Sequence, residues 1–221
     1  MKKYSIFIGL LLLGAVLFSC QKESFNYKPG YVGSSKITVY PTITVTGQDY
    51  ILVPKGGTFT DPGATAKAGS ADIKVVATSI NVNVPGVYTI SYTATNADGF
   101  SASAYRHVIV YATDASAQNN DFSGNYARTS NGSVATWTKL APGVYSVFNP
   151  GGAPGTNLTV IVFNDTAYHV YIPQQAASDY SITSSAQESS VPGATPGTLS
   201  KYSMEIVNPG YGTSVRTFVK Q

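Results

Sequence analysis

The sequence predicts an all-β protein made of two successive antiparallel β domains. Three observations predict it. Short β-branched and aromatic runs recur at about 8–12-residue spacing, separated by Gly, Pro and Asn turn signals. Outside the N-terminal apolar run, no segment carries a 3.6-residue apolar stripe. Charged residues make up only 11% of the 221, so Thr, Ser, Asn and Gly supply the polarity, while 16 Tyr and 9 Phe supply strand-forming bulk.

The first element is not a strand. Lys2 and Lys3 precede an uncharged apolar run from Ile6 to Phe18, and the small Ser19 stands before Cys20, the sole cysteine. This is the tripartite layout of a secretory signal. The run is shorter than the roughly 20 residues that span a bilayer. A single cysteine excludes an intrachain disulfide and a multi-thiolate metal site. "LFSC", Leu17 to Cys20, resembles the lipobox of bacterial lipoproteins. The resemblance implies cleavage before Cys20 and acylation of its sulfur, with palmitate-type chains. At about 0.8 kcal/mol per buried methylene, two or more chains hold a protein stably on a bilayer. The plainer alternative is an uncleaved anchor helix with an incidental cysteine.

Residues 1–19 are thus expected to be a lipoprotein signal peptide and 20–36 a lipidated tether, whose Pro, Gly, Ser and Lys show no period. "QKE" after the cysteine resembles the surface-export signal of glycan-utilisation lipoproteins. Loss of Lys2 and Lys3 lowers the formal charge from +3 to +1. A near-neutral chain without a basic stripe argues against nucleic acid as a partner.

The first folded domain is expected over residues 37–112. "KITVYPTITV" alternates around Pro41, which suggests an edge strand or one that switches sheets. "YILVPKGGTFTDPGATA" contains turns at Gly56-Gly57 and Asp61-Pro62-Gly63. "IKVVATSINV" is β-branched. Pro85-Gly86 then feeds a strand in which Tyr88, Ile90, Tyr92 and Ala94 share one face. Immunoglobulin-type sandwiches place a tyrosine two residues before an inward core position, and Tyr88 and Ile90 fit those places. "GGTFTDPGATA", "PGVYTISYTATNADG" and "RHVIVY" together resemble the bacterial Ig-like domains first noted in pesticidal crystal proteins and common in surface lipoproteins. The resemblance implies an N-terminal immunoglobulin-like β-sandwich and says nothing of a ligand.

Residues 113–123 are small and polar and read as a linker; residues 124–221 read as a C-terminal antiparallel β-domain, a small sandwich or flattened barrel. "LAPGVYSVFN", "NLTVIVFND", "AYHVYIP" and "YSITSS" are its expected strands. "KYSMEIVNPGYGTSVRTFVK" reads as a hairpin around Asn208-Pro209-Gly210. "SSAQESSVPGATPG", residues 184–197, reads as a long polar loop. Pro142-Gly143-Val144-Tyr145 echoes Pro85-Gly86-Val87-Tyr88 without matching flanks, so both read as one local device, a turn feeding a strand that opens on an inward Tyr. This region resembles the C-terminal domain that follows the Ig-like module in a family of uncharacterised gut-bacterial lipoproteins, which implies a fold and no biochemistry.

No motif announces catalysis. His107 and His169 sit in strand patterns without metal-ligand spacing, and neither HExxH nor paired cysteines occur. A serine hydrolase would draw on His169 with Asp165 or Asp179, yet there is no G-x-S-x-G elbow. A glycosidase needs two carboxyl groups, and Asp61, Asp98 and Asp165 lie in turn contexts. Asp61 and Asp98 with Asn96 admit a calcium alternative, although neither "TDPG" nor "NADG" is a loop of alternating ligands.

The reading is therefore non-enzymatic, with no cofactor and no metal. Trp137, Tyr168, Tyr171, Tyr180 and Tyr211 are the candidate ligand-binding residues, because flat aromatic faces cover the C–H patches of sugars. The plain alternative for each is core packing. The expected whole is a lipid-anchored outer-membrane lipoprotein at the cell surface, binding a glycan. The alternative is an envelope assembly protein whose Ig-like domain contacts an outer-membrane partner.

Overall fold

The computed structural model describes residues 26–221. The signal-peptide and Cys20 expectations fall on residues outside that range. The described residues fall into two units, 26–39 and 40–221. In the first, β1 (Tyr31–Val32) and β2 (Ser35–Lys36) form a hairpin, with Gly33 at φ 62° in its turn. Among the described residues no helix is long and apolar enough to cross a membrane.

The second unit is all-β and begins with a sandwich. Its strands are β3 (Pro41–Val45), β4 (Tyr50–Pro54), β5 (Ala64–Ala68), β6 (Ala71–Ile73), β7 (Val75–Ala77), β8 (Gly86–Thr95) and β9 (Ser101–Tyr111). One sheet has the order β3-β5-β6, the other β4-β9-β8-β7. Pro41 opens β3, an edge strand, where its missing N–H costs no ladder bond. The run "ADIKVVA" changes sheets at Lys74, pairing as β6 with β5 and as β7 with β8. Ile90, Tyr92, Val108 and Val110 fill the core with Val53. The Tyr88 hydroxyl donates to the Val84 carbonyl at 2.7 Å, tying the entry to β8 as expected of a tyrosine corner.

A charged residue sits in this core. Arg106 is fully buried. Its guanidinium donates to the Tyr92 hydroxyl at 2.9 Å and to the carbonyls of Thr46, Gln48 and Gly63, and it lies 3.4 Å from Asp61. Asp61 also accepts from the Tyr92 hydroxyl at 2.5 Å and the Gly63 N–H at 3.0 Å. The Asp-Pro-Gly turn is thus both a turn and the counter-charge for a buried arginine, with one Asp61 oxygen carrying these contacts.

The remaining strands form a meander: β10 (Gly124–Arg128), β11 (Val134–Ala141), β12 (Val144–Phe148), β13 (Thr159–Phe163), β14 (Gln175–Ala176), β15 (Ile182–Pro192), β16 (Leu199–Val207) and β17 (Val215–Lys220). Each pairs with its neighbour from β10 to β13 and from β14 to β17, and β17 returns to β10, in one eight-stranded sheet. The last seam, between β13 and β14, is laced rather than laddered. Phe163 and Tyr171 exchange backbone bonds at 2.9 and 3.0 Å, and the Ser178 N–H reaches the Thr159 carbonyl at 3.0 Å. Between them the Gln175 side-chain amide accepts from the Ile161 N–H at 2.8 Å and donates to its carbonyl at 2.7 Å, standing in for a peptide unit. The result is a nearly closed barrel, the flattened-barrel option of the sequence reading.

Side chains fill its interior. Trp137, Tyr126, Tyr145, Tyr202 and Phe218 are all buried there, with the Trp137 ring touching those of Tyr126, Tyr145 and Tyr202. Two segments differ from expectation. Residues 184–192, expected as loop, belong to β15; a bulge at Gln187, with φ 54°, absorbs the irregularity of a Ser/Gln/Glu-rich strand. "AYHVYIP" yields only the bridge at Tyr171, because the Asn164 side chain captures the carbonyls of Ala167 and His169 at 2.9 and 2.7 Å and bends the chain.

Residues 113–123 are packed, with Ala117 and Phe122 fully buried. Sandwich and barrel also share a hydrophobic cluster. Ile109 of β9 meets Val144, Ile161 and Phe163 of the barrel, and all four are buried. Gly143 sits at this junction, where a Cβ would lie 2.4 Å from the Asn164 carbonyl oxygen and 2.5 Å from Thr113 Oγ1.

Candidate functional site: an aromatic cleft

Beside the shared cluster the two β domains leave a cleft of about 380 Å3. Its sandwich wall comes from β4 and β9, whose parallel register sets Tyr50 opposite His107. Alternation sends Tyr50 and Leu52 outward while Val53 enters the core. On β9, Tyr105 and His107 lie on the same outward side as Ile109, which is buried against the barrel. Val87 of β8, paired with Ile109, continues the floor. The barrel wall is Leu140, Ser146, Ile161, Gln175 and Ser178, among others.

The rings are ordered. Tyr50 and His107 stack with centroids 5.2 Å apart and planes 22° apart. Tyr105 lies 6.2 Å from Tyr180, which comes from the β14–β15 turn. That turn is held by Asp179, whose carboxylate accepts the Ser181 N–H at 2.9 Å and the Ser181 hydroxyl at 2.5 Å. Tyr180 has φ 65° and is 70% exposed. A bulky residue in the left-handed region is strained by about 1–3 kcal/mol, a cost that the surroundings must offset to hold the ring outward.

The cleft is uncharged. No carboxylate, lysine or arginine lines it. Burial depresses the His107 pKa, with Asp49 opposing, so the ring is neutral at physiological pH. Its Nδ1 lies 3.3 Å from the Thr89 hydroxyl. Burial, aided by Asp49 and Tyr180, raises the Tyr50 pKa. Flat rings, an apolar floor and the hydroxyls of Tyr50, Ser146, Thr159 and Ser178 suit a ligand with one apolar face and many hydroxyls. Paired acid and base groups for chemistry are not among its lining.

The sequence-derived candidates separate here. Tyr180 stands beside the cleft, next to Tyr105 and close enough to Tyr50 to act on its pKa, but is not among the lining residues. Trp137 is a correction: it is 2% exposed inside the barrel, its Nε1 donating to the Tyr202 hydroxyl at 3.1 Å, so its faces meet protein and not ligand. Tyr168 and Tyr211 pack against the barrel core. Tyr168 stacks on Phe122, 6.1 Å away, and its hydroxyl accepts the Gly197 N–H. Tyr171 packs with the shared cluster, stacking on His169 at 5.3 Å. These two serve structure.

His169 Nδ1 pairs with Asp165 at 2.6 Å, with both side chains about half-exposed. Among the described residues no serine hydroxyl bonds that imidazole, and no cluster of three or more His, Cys, Asp or Glu could hold a metal ion. Sequence reasoning missed Tyr50, Tyr105 and His107. The signal was present: Tyr50-x-Leu52 and Tyr105-x-His107 put large rings on strand faces that a free-standing sandwich would give to polar residues.

Comparison with known proteins bears on the first domain. Residues 43–110 match the family model described as bacterial surface protein, Ig-like domain. Among solved structures, the lipoprotein BT2262 from Bacteroides thetaiotaomicron matches at 23% identity, with 82% of this chain and 100% of that chain covered and a TM-score of 0.38. No curated protein matches the chain. The family match spans β3 to β9, the two-sheet sandwich with its tyrosine corner, so it is this sandwich that is similar to the bacterial surface Ig-like domain.

Proposed function

We propose that the protein is a surface-displayed, non-enzymatic binding module whose cleft takes a glycan. The observation that carries this reading is the cleft itself: the Tyr50–His107 stack lines an uncharged, apolar-floored opening, with the outward Tyr180 beside it. Sugars present that same pairing of an apolar C–H face with a hydroxyl rim. Display at the surface is supported by the family of residues 43–110 and by the lipobox-like "LFSC". Acylation of Cys20 would hold the chain on the outer membrane.

The test is a glycan array with the full chain in mild detergent. Tyr50→Ala and Tyr180→Ala are expected to weaken binding about tenfold each, roughly 1.4 kcal/mol, with circular dichroism unchanged. Trp137→Phe is expected to leave binding intact. Absence of any glycan signal, with an outer-membrane protein co-purifying from native cells, would replace the reading with an assembly role. Turnover of a bound glycan would overturn its non-enzymatic part. Mass spectrometry of native material that finds Met1 retained, or no fatty acid on Cys20, would remove the anchor.

A further inference from the structure

A second site lies on the other side of the β14–β15 turn. Among the described residues, three buried side-chain atoms lack a hydrogen-bond partner: Arg128 Nε, Arg216 Nε and the Tyr211 hydroxyl. All three residues line a single pocket of about 390 Å3. Buried polar groups are satisfied in the great majority of cases, so three orphans in one pocket ask for a ligand that supplies acceptors.

The charges point the same way. Arg216 is 7% exposed, and its guanidinium carbon sits 4.9 Å from the Tyr211 ring centre. Its one hydrogen bond goes to the Ser214 carbonyl at 3.2 Å. Arg128 donates to the Gly151 and Gly152 carbonyls at 3.4 and 3.3 Å. Neither guanidinium makes an ion pair among the described residues. Burial first, and the Arg128 charge second, depress the Arg216 pKa, but a guanidinium stays charged at any physiological pH. Two carboxylates stand near without pairing to either guanidinium: Glu205, which favours the charged Arg216 and accepts from Gln187 at 2.7 Å, and Asp179, which lines the pocket and accepts from the Ser181 N–H and hydroxyl.

The walls are fitted to these side chains. A Cβ on Gly151 would lie 2.1 Å from Tyr211 Cε1, and one on Gly152 would lie 2.8 Å from Arg128 Cδ. The "NPGG" loop therefore presses bare backbone against both, fixing them without any acceptor strong enough to neutralise them.

We propose that Arg128, Arg216 and Tyr211 form an oxyanion site that takes one carboxylate or sulfate group. Two guanidinium edges and a phenol hydroxyl supply the donors, and the ligand replaces mutual repulsion by charge-assisted hydrogen bonds. The site stands apart from the glycan reading. Ser178 lines the cleft and Asp179 the oxyanion pocket, so one turn separates them, and an acidic saccharide is the ligand that engages both if that reading also holds.

The experiment is thermal denaturation and NMR of the full chain in neutral detergent. Sodium sulfate, sodium glucuronate and an uncharged oligosaccharide are titrated against sodium chloride at matched ionic strength. Saturable stabilisation by sulfate or glucuronate is expected, with displacement of the Arg128 and Arg216 Nε–H resonances. Arg216→Met is expected to abolish it and Tyr211→Phe to weaken it severalfold. Response to free sulfate alone identifies an inorganic anion site, whereas tighter binding of glucuronate identifies a sugar acid; both support the proposal. A response to the uncharged sugar alone supports the cleft and overturns this site. So does a wild-type response no greater than that to chloride, which leaves ordered water as the occupant. If Arg216→Met fails to fold, the wild-type resonances still decide.

Discussion

At the scale of single residues, Arg106 shows how a charge becomes core. It is fully buried, yet its donors meet three carbonyls, the Tyr92 hydroxyl and Asp61. Removing one partner of such a set leaves an uncompensated charge. Asp61→Ala is expected to lower stability by about 3 kcal/mol, read as a lower urea midpoint with unchanged slope. Legibility at this scale was uneven. Tyr88 and Ile90 were readable, because a tyrosine corner imposes a fixed offset between hydroxyl anchor and inward side chain. Trp137 was not readable: inward and outward tryptophans look alike in a β-run, and only the partners across the barrel, Tyr126 and Tyr202, decide its side. Arg128 and Arg216 were passed over for the same reason, since an arginine in a strand is usually solvated and nothing local says otherwise.

At the scale of elements, β9 and β13 are the instructive pair. Both contain unbroken apolar runs, "HVIVY" and "VIVF", where a half-exposed strand would alternate. In β9, Val108 and Val110 enter the sandwich core while Ile109 faces the barrel; in β13, Val160 and Val162 enter the barrel while Ile161 and Phe163 face the sandwich. The runs thus recorded burial on two faces, which the sequence carries without saying what covers the second one. The short β14 was harder still. Its pairing to β13 runs through a glutamine side chain, and no propensity encodes that. Gln175 is 4% exposed, so Gln175→Ala strands the Ile161 N–H and carbonyl in a dry seam. The expected cost is about 2 kcal/mol or more, with faster hydrogen exchange at Ile161 than at Val147 in the middle of the sheet.

At the scale of the whole molecule, the barrel is held by rings whose hydroxyls are out of water. Burial raises the pKa of Tyr126, Tyr145 and Tyr202, that of Tyr145 to about 12. Each folded-state value stands above the unfolded one near 10, so the native state holds these protons longer. Their contribution to stability is full below about pH 10 and is lost as pH rises through the folded values. Alkaline titration followed by phenolate absorbance is expected to show Tyr126, Tyr145 and Tyr202 ionising in a cooperative step that coincides with loss of the Trp137 environment. Because Ile109, Val144, Ile161 and Phe163 form one cluster across both β domains, calorimetry is expected to show sandwich and barrel melting together.

The laced seam between β13 and β14 reaches further than stability. An edge whose amides are already engaged gives a neighbouring copy little to extend. Along β13 the Phe163–Tyr171 and Ser178–Thr159 backbone bonds and the Gln175 side chain engage them, which would guard that margin of the barrel against strand exchange between copies.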